Sequence, residues 1–165
     1  MENDEYFQIN DINSAMEFLK ARRMEAGYLM SHVAEKANFH QTTFTRIEDK
    51  EEIPTLNRFL AYANVIGYTL YLVHENGNPI FPENEDEIAN ATSLIDFLKT
   101  KRKSEDNFTS VMVIAKDTGI SHTTFMRMEK GETMPSLKNF LVYANSLGYF
   151  VMLYPIRNNK LYKKR

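Results

Sequence analysis

The chain repeats itself at one constant offset: Thr42-Thr43-Phe44 recurs as Thr123-Thr124-Phe125, and Pro54 recurs as Pro135. Between these anchors the match has no gap. Arg46 meets Arg127, Glu48 meets Glu129, and Leu56, Phe59 and Leu60 meet Leu137, Phe140 and Leu141. Tyr62-Ala63-Asn64 meets Tyr143-Ala144-Asn145, and Gly67-Tyr68 meets Gly148-Tyr149. Upstream the register changes by two residues, so that Phe18-Leu19-Lys20 and Arg23 pair with Phe97-Leu98-Lys99 and Arg102. Self-similarity of this kind implies two copies of one folding unit. The 165 residues therefore divide into units of about 80, at 1–82 and 83–165. Each is small enough that the two are expected to pack on one another.

Within the first unit, Asn10 or Asp11 is placed to cap a helix whose apolar stripe is Ile12, Ala15, Met16 and Leu19. Arg22 and Arg23 fall in its last turn, where the helix dipole favours cations, and Gly27 ends it. Met30, Val33, Ala34 and Ala37 make a second stripe, followed by the short turn Asn38-Phe39-His40. In a third helix Phe44 and Ile47 face inward, leaving Gln41, Thr42, Thr45 and Arg46 to face outward. Pro54 suits the first position of a fourth helix with the stripe Leu56, Phe59, Leu60 and Ala63, and Gly67 suits a left-handed cap. Thr69 to Val73, β-branched and aromatic, reads as a strand. The second unit repeats the plan with Ser110 as a cap, the stripe Val111, Ile114, Ala115 and Thr118, the turn Gly119-Ile120-Ser121, and a strand over Phe150 to Tyr154. A lone ribbon is marginal in water, so the two strands are expected to pair over the helices in a small antiparallel ribbon. Glu83, Glu85, Asp86 and Glu87, after Pro79 and Pro82, read as a solvated linker.

Composition narrows the function. The chain lacks cysteine, and His32, His40, His74 and His122 are too scattered to suggest a zinc cluster, so no cofactor or metal is expected. No apolar run approaches a membrane span, and the acidic opening Met1 to Glu5 lacks the basic start of a signal peptide. A cytoplasmic protein with no membrane partner is expected. Neither a glycine-rich phosphate loop nor a repeated acid beside a repeated histidine is present, which argues against an enzyme. The net charge of −2 is uneven: residues 1–82 carry seven Lys and Arg against twelve Asp and Glu, and residues 83–165 carry thirteen against ten. A polyanion would be held better by the second unit.

Two helices joined by a short turn, the second opening on small polar residues, make the helix-turn-helix geometry that fits a DNA major groove. The run Ile114 to Gly131, followed by Pro135, resembles the Cro and lambda-repressor type of helix-turn-helix, the XRE family. Val33-Ala34 through Glu48, with Pro54, is a weaker copy, in which Asn38 stands at the turn glycine. The helix-then-strand ending of each unit is similar to that of HipB-type antitoxins. The resemblance implies a mainly α fold: two tandem lambda-repressor-like helical domains, each ending in a short strand, forming a pseudo-two-fold dimer on one chain.

By position, the resemblance implies that Gln41, Thr42 and Arg46, with His122, Thr123 and Arg127, read base edges. Arg suits guanine, Gln suits adenine, and a Thr methyl suits thymine. His40, Thr43, Ser121, Thr124 and Lys130 are then placed for phosphate oxygens. It also implies a buried ion pair between first and third helices, Arg23 with Glu48 and Arg102 with Glu129. Plainer readings stand beside these. The threonines suit caps, the arginines and histidines suit a solvated surface, Tyr62 and Tyr143 suit packing beneath the ribbon, and Lys160, Lys163, Lys164 and Arg165 suit a frayed basic end. The pattern also has departures. Met30 and Val111 replace the family's phosphate-binding glutamine, and Asp49, Lys50, Glu51 and Glu52 would repel a DNA backbone. Met112 and Val113 point off the helical stripe and are expected to pack on the other unit.

Two functions follow as expectations. One is sequence-specific binding of double-stranded DNA by a transcriptional repressor or autoregulator, with two recognition helices about 34 Å apart reading related half-sites. The other is a protein-binding module on the same fold, an antitoxin or a phage anti-CRISPR-type inhibitor, whose partner would be a toxin or a CRISPR effector. Further homodimerisation is compatible with either.

Overall fold

The computed structural model describes residues 6–78, 80–84, 87–104 and 109–156. Among them the first repeat folds as β1 (Phe7–Gln8), α1 (Ile12–Glu25), α2 (Met30–Lys36), α3 (Gln41–Glu48), α4 (Leu56–Ile66) and β2 (Tyr68–His74). The second follows as β3 (Ile80–Phe81), α5 (Ala91–Arg102), α6 (Val111–Thr118), α7 (His122–Glu129), α8 (Leu137–Ser146) and β4 (Tyr149–Pro155). The fold is mainly helical, with one four-stranded antiparallel sheet in the order β1-β4-β2-β3. The described residues contain no helix long and apolar enough to cross a membrane.

The central ladder has an unusual register. Tyr71 of β2 lies opposite Met152, its own repeat equivalent, and the pairs on either side exchange equivalents: Leu70 with Leu153, Leu72 with Val151, Thr69 with Tyr154, Val73 with Phe150. The same holds where the chain enters α4 and α8. Thr55 bridges Ser136, Leu56 N–H donates to the Pro135 carbonyl at 2.9 Å, and Leu137 N–H donates to the Pro54 carbonyl at 2.9 Å. Pro54 is therefore not the first helical residue that the sequence suggests. Thr55 takes the N-cap position, and Pro54 is held outside the helix because its carbonyl serves the other repeat.

The edge strands cross over. Phe7 of β1 stacks on Phe18 of α1 at 4.5 Å, yet β1 pairs with β4. Phe81 of β3 stacks on Phe97 of α5 at 4.6 Å, yet β3 pairs with β2. Phe18 and Phe97 in turn meet Tyr68 and Tyr149 edge-on at 5.3 and 5.4 Å. Each repeat therefore packs its leading strand on its own helix and hydrogen-bonds it to the other repeat's sheet strand. The stretch read as a solvated linker begins just after this ordered strand and a buried Pro82; its Glu83 and Glu87 are exposed, and Pro79, Glu85 and Asp86 lie outside the described residues. The basic end at Lys160, Lys163, Lys164 and Arg165 also lies outside them.

One continuous apolar core runs under the sheet and through both sets of helices, with Leu19, Phe44, Phe59, Leu70 and Leu72 matched by Leu98, Phe125, Phe140, Val151 and Leu153. Each such side chain, moved out of water, contributes about 1.5–3 kcal/mol before chain entropy is counted.

Capping differs between the repeats. Asp11 caps α1, its carboxylate accepting the Ser14 N–H at 2.8 Å, and Asn90 caps α5 in a reciprocal arrangement with Ser93. For the other helices of the second repeat, Ser110, Ser121 and Ser136 each accept a backbone N–H three residues on. Their equivalents Leu29, His40 and Thr55 make no side-chain cap bond. Leu29 also leaves 70% of its surface in water. Leu29→Ser is therefore expected to stabilise the chain by about 0.5–2 kcal/mol and Ser110→Leu to destabilise it by a similar amount. Urea unfolding of the two variants beside the parent checks both signs.

Candidate nucleic-acid interface

The turn between α2 and α3 depends on one left-handed residue. Asn38 takes φ 61°, and Gly119 takes φ 77° at the same place between α6 and α7. Asn tolerates this region better than other residues with a β-carbon, so the weaker copy keeps the bend without glycine. The third helix of each repeat then leaves the turn with one side buried. Phe44, Ile47 and Glu48 of α3 and Phe125, Met128 and Glu129 of α7 face the interior.

The opposite side is open. Gln41, Thr42 and Arg46 are exposed, as are His122, Thr123 and Arg127. Among the described residues none of these six side chains is held by a hydrogen bond or ion pair. His40, Ser121, Thr124 and Lys130 are exposed and Thr43 is half-buried. The Ser121 hydroxyl is already occupied: it caps α7 by accepting the Thr124 N–H at 3.1 Å and lies 2.7 Å from the Thr124 hydroxyl. Thr45, expected to face outward, is half-buried and donates its hydroxyl to the Gln41 carbonyl at 2.9 Å, the usual alternative for a threonine inside a helix.

What holds these helices in place is a buried charged triad. Arg23 donates from Nε to Glu48 Oε2 at 2.7 Å, from Nη2 to Oε1 at 2.9 Å, and from Nη1 to the Tyr28 carbonyl at 2.8 Å. Arg102 donates likewise to Glu129 at 2.7 and 2.6 Å and to the Thr109 carbonyl at 3.0 Å. The family resemblance implies both ion pairs. It does not anticipate the third member, because Tyr62 and Tyr143 do more than pack: each hydroxyl donates to the same carboxylate, Glu48 or Glu129. Their rings also meet Phe44 and Phe125 edge-on, at 4.7 and 5.5 Å. Recurrence of a tyrosine, an arginine and a glutamate in both copies was the available signal.

The electrostatics follow from this geometry. Burial, then the neighbouring carboxylate, raises the Tyr62 and Tyr143 hydroxyls well above the usual tyrosine range, so both remain donors. Burial pushes the Glu129 carboxyl up, but the Arg102 guanidinium and the Tyr143 hydroxyl outweigh it and hold the group below the usual carboxylate range. Hydrogen bonding to Glu48 and Glu129 raises both arginines.

The surroundings of the two third helices are unequal. Beside α7 a cleft of about 330 Å³ has Lys99, Lys103, His122 and Lys130 in its wall, together with the apolar Val111, Met112 and Met126. The positions equivalent to the first four, beside α3, carry Lys20, Met24, Gln41 and Asp49. Lys50, next in that loop, is paired with Glu17. Met112 and Val113 do not pack on the other repeat as expected. They are 70% and 49% exposed, because α6 already buries Val111 and Ile114 and turns these two away from the core.

Comparison with protein families, with curated proteins and with solved structures returned no match.

The triad sets the stability of the surface it supports. Tyr143→Phe is expected to cost about 1.5–3 kcal/mol, the range for a hydrogen bond to a charged group. Glu129→Gln, which strands a buried arginine, is expected to cost about 3–5 kcal/mol. Because the Glu129 carboxyl is lowered on folding, its contribution is complete above the unfolded value near 4.3 and is lost as pH falls through the lower folded value. Urea unfolding between about pH 6 and pH 2 should therefore give a shallower acid limb for Glu129→Gln than for the parent.

Proposed function

We propose that the chain is a single-chain dimer of two helix-turn-helix domains, the second beginning at β3 and not at residue 83, that binds double-stranded DNA sequence-specifically and represses or autoregulates transcription without catalysis. The observation that carries this reading is the pair of third helices. At equivalent positions each exposes an arginine, a threonine and a Gln or His on one side, while a buried triad fixes the other. Support for a two-fold arrangement of the domains comes from the ladder in which Tyr71 faces its own equivalent, Met152. Two-fold protein symmetry suits two related half-sites one helical turn, about 34 Å, apart. Since His122 stands where Gln41 does, the half-sites are related and not identical. The basic cleft at Lys99, Lys103 and Lys130 makes the second domain the stronger holder of the phosphate backbone.

Selection of sites from random duplex DNA at a stated salt concentration tests this directly. A bipartite motif is expected, and recovery of none would sink specific readout. Arg127→Ala should then cost about 1–3 kcal/mol at one base position of the selected site while leaving the fold intact. Lys103→Ala and Lys130→Ala should weaken all sequences alike, and each should reduce the slope of log affinity against log salt by about 0.9.

The exposed Met112 and Val113 favour a second reading, a protein-binding module of the antitoxin or inhibitor type. A tight protein partner, together with DNA binding indifferent to alanine at Gln41, Thr42, Arg46, His122, Thr123 and Arg127, would favour it over the first.

A further inference from the structure

The cleft beside α7 combines two chemistries. It lies where the end of α5, the start of α6 and α7 meet. At its base is the buried Arg102–Glu129 pair, whose groups already satisfy one another, with the remaining Arg102 donor on the Thr109 carbonyl. Lys99, Lys103 and Lys130 stand around it, and among the described residues no carboxylate pairs with Lys103 or Lys130. The positive sign does not rest on these lysines alone. Residues 99–132, which run through all three walls, carry seven Lys and Arg against five Asp and Glu. Beside the cations are Val111, Met112 and Met126, and Met112 leaves 70% of its surface in water. The fold itself does not require this composition. The first repeat builds the same helices with Met24, Asp49, Ser31 and Thr45 where the second has Lys103, Lys130, Met112 and Met126.

We propose that this cleft binds a small amphipathic anion, an aromatic or short acyl body carrying a carboxylate, sulfonate or phosphate, and that such an occupant excludes DNA from α7. A bare anion would engage the lysines and leave the methionines in water. A neutral apolar ligand would cover the methionines and leave the lysines without a partner. A ligand with both parts gains charged hydrogen bonds, which are stronger than neutral ones, together with the burial of apolar surface. Methionine, unbranched and polarisable, adapts to apolar groups of varied shape. A volume of about 330 Å³ falls at the lower end of the range of about 300–1,000 Å³ for ligand pockets, which suits one or two rings. Exclusion of DNA follows from shared residues, since His122 and Lys130 line the cleft and are also a base-reading and a phosphate position of the proposed DNA site. That second part rests on the DNA-binding reading, and the binding of the anion does not. Two ligands coupled in this way weaken each other by the same factor.

The test is titration of the full chain with 8-anilinonaphthalene-1-sulfonate, followed by its fluorescence and by the methionine methyl signals in NMR spectra. N-phenyl-1-naphthylamine, the same ring system without the sulfonate, serves as the neutral control. The sulfonate is expected to bind saturably and to shift the methyls of Met112 and Met126, leaving unmoved that of Met24, which is 63% exposed in the first repeat. The neutral control should bind at least about tenfold more weakly, as loss of a hydrogen bond between charged groups implies. Lys103→Ala and Lys130→Ala are each expected to weaken the sulfonate about twofold to fivefold, the range for an exposed ion pair. Met112→Ser, which installs the residue of the first repeat, should weaken it about threefold to tenfold. All three side chains are exposed, so these variants leave the core whole. A duplex carrying the selected motif should displace the sulfonate, and saturating sulfonate should lower duplex affinity by the same factor. Equal binding of the sulfonate and its neutral control, no shift at Met112 and Met126, or unchanged affinity in all three variants would overturn the ligand site. Duplex affinity indifferent to saturating sulfonate would overturn the exclusion. Failure to select any DNA motif, beside normal sulfonate binding, would remove the DNA reading and the exclusion with it, and uphold the ligand site.

Discussion

Each repeat is organised around one carboxylate. Glu48 and Glu129, at the ends of α3 and α7, accept two bonds from an arginine of the first helix and one from a tyrosine of the fourth. Three helices are thereby referred to a single buried point, and the position of the exposed side of α3 or α7 follows from it. A buried ion pair is a weak source of net stability, because desolvating both charges offsets most of their attraction. Its effect here is geometric. Bidentate arginine bonds tolerate little rotation, so α3 cannot slide along α1 without stranding charge in the core.

The second constraint is the sheet. A seven-residue strand in each repeat is too little to stand alone in water, and β2 and β4 complete each other in a register that treats the repeats alike. The leading strands then close the edges by crossing to the opposite repeat, each anchored through stacked aromatics on its own first helix. Folding of one repeat thus supplies hydrogen-bonding partners to the other. The outcome resembles a subunit interface more than a linker between independent modules, and it leaves the polar sides of both third helices exposed at once.

Within this symmetric frame the two repeats have diverged at their surfaces. The second has three serine caps and a cluster of lysines, and the first has Leu29, His40 and Thr55 without caps and an acidic loop after α3. Core positions match in kind, because packing density punishes changes of volume. Surface positions are free of that restraint, and it is there that Met24 stands for Lys103 and Asp49 for Lys130.

Much of the fold was legible in the residues because it rests on local rules. Helical stripes such as Leu56, Phe59, Leu60 and Ala63, the left-handed Gly67 and Gly119, and the strand over Thr69 to Val73 follow from periodicity and backbone sterics. The Arg23–Glu48 and Arg102–Glu129 pairs were expected from the family resemblance. Four features were not legible. The strands β1 and β3 are two residues long and show no period, and Phe7 and Phe81 stand at different distances from Phe18 and Phe97. Pro54 looked like a helix start until its carbonyl was engaged from across the molecule. Met112 and Val113 stayed exposed because α6 already buries its own stripe. The ring contacts of Tyr154 with Tyr6 and Tyr71 join β4 to β2 and to the residue just before β1, which only the sheet brings together. The sequence alone thus determined the duplicated helical units and which side of each third helix is polar, since these depend on contacts a few residues apart. Pairing, register and every site shared between strands were decided by tertiary structure, because a backbone hydrogen bond between distant segments carries no signature in the side chains that flank it.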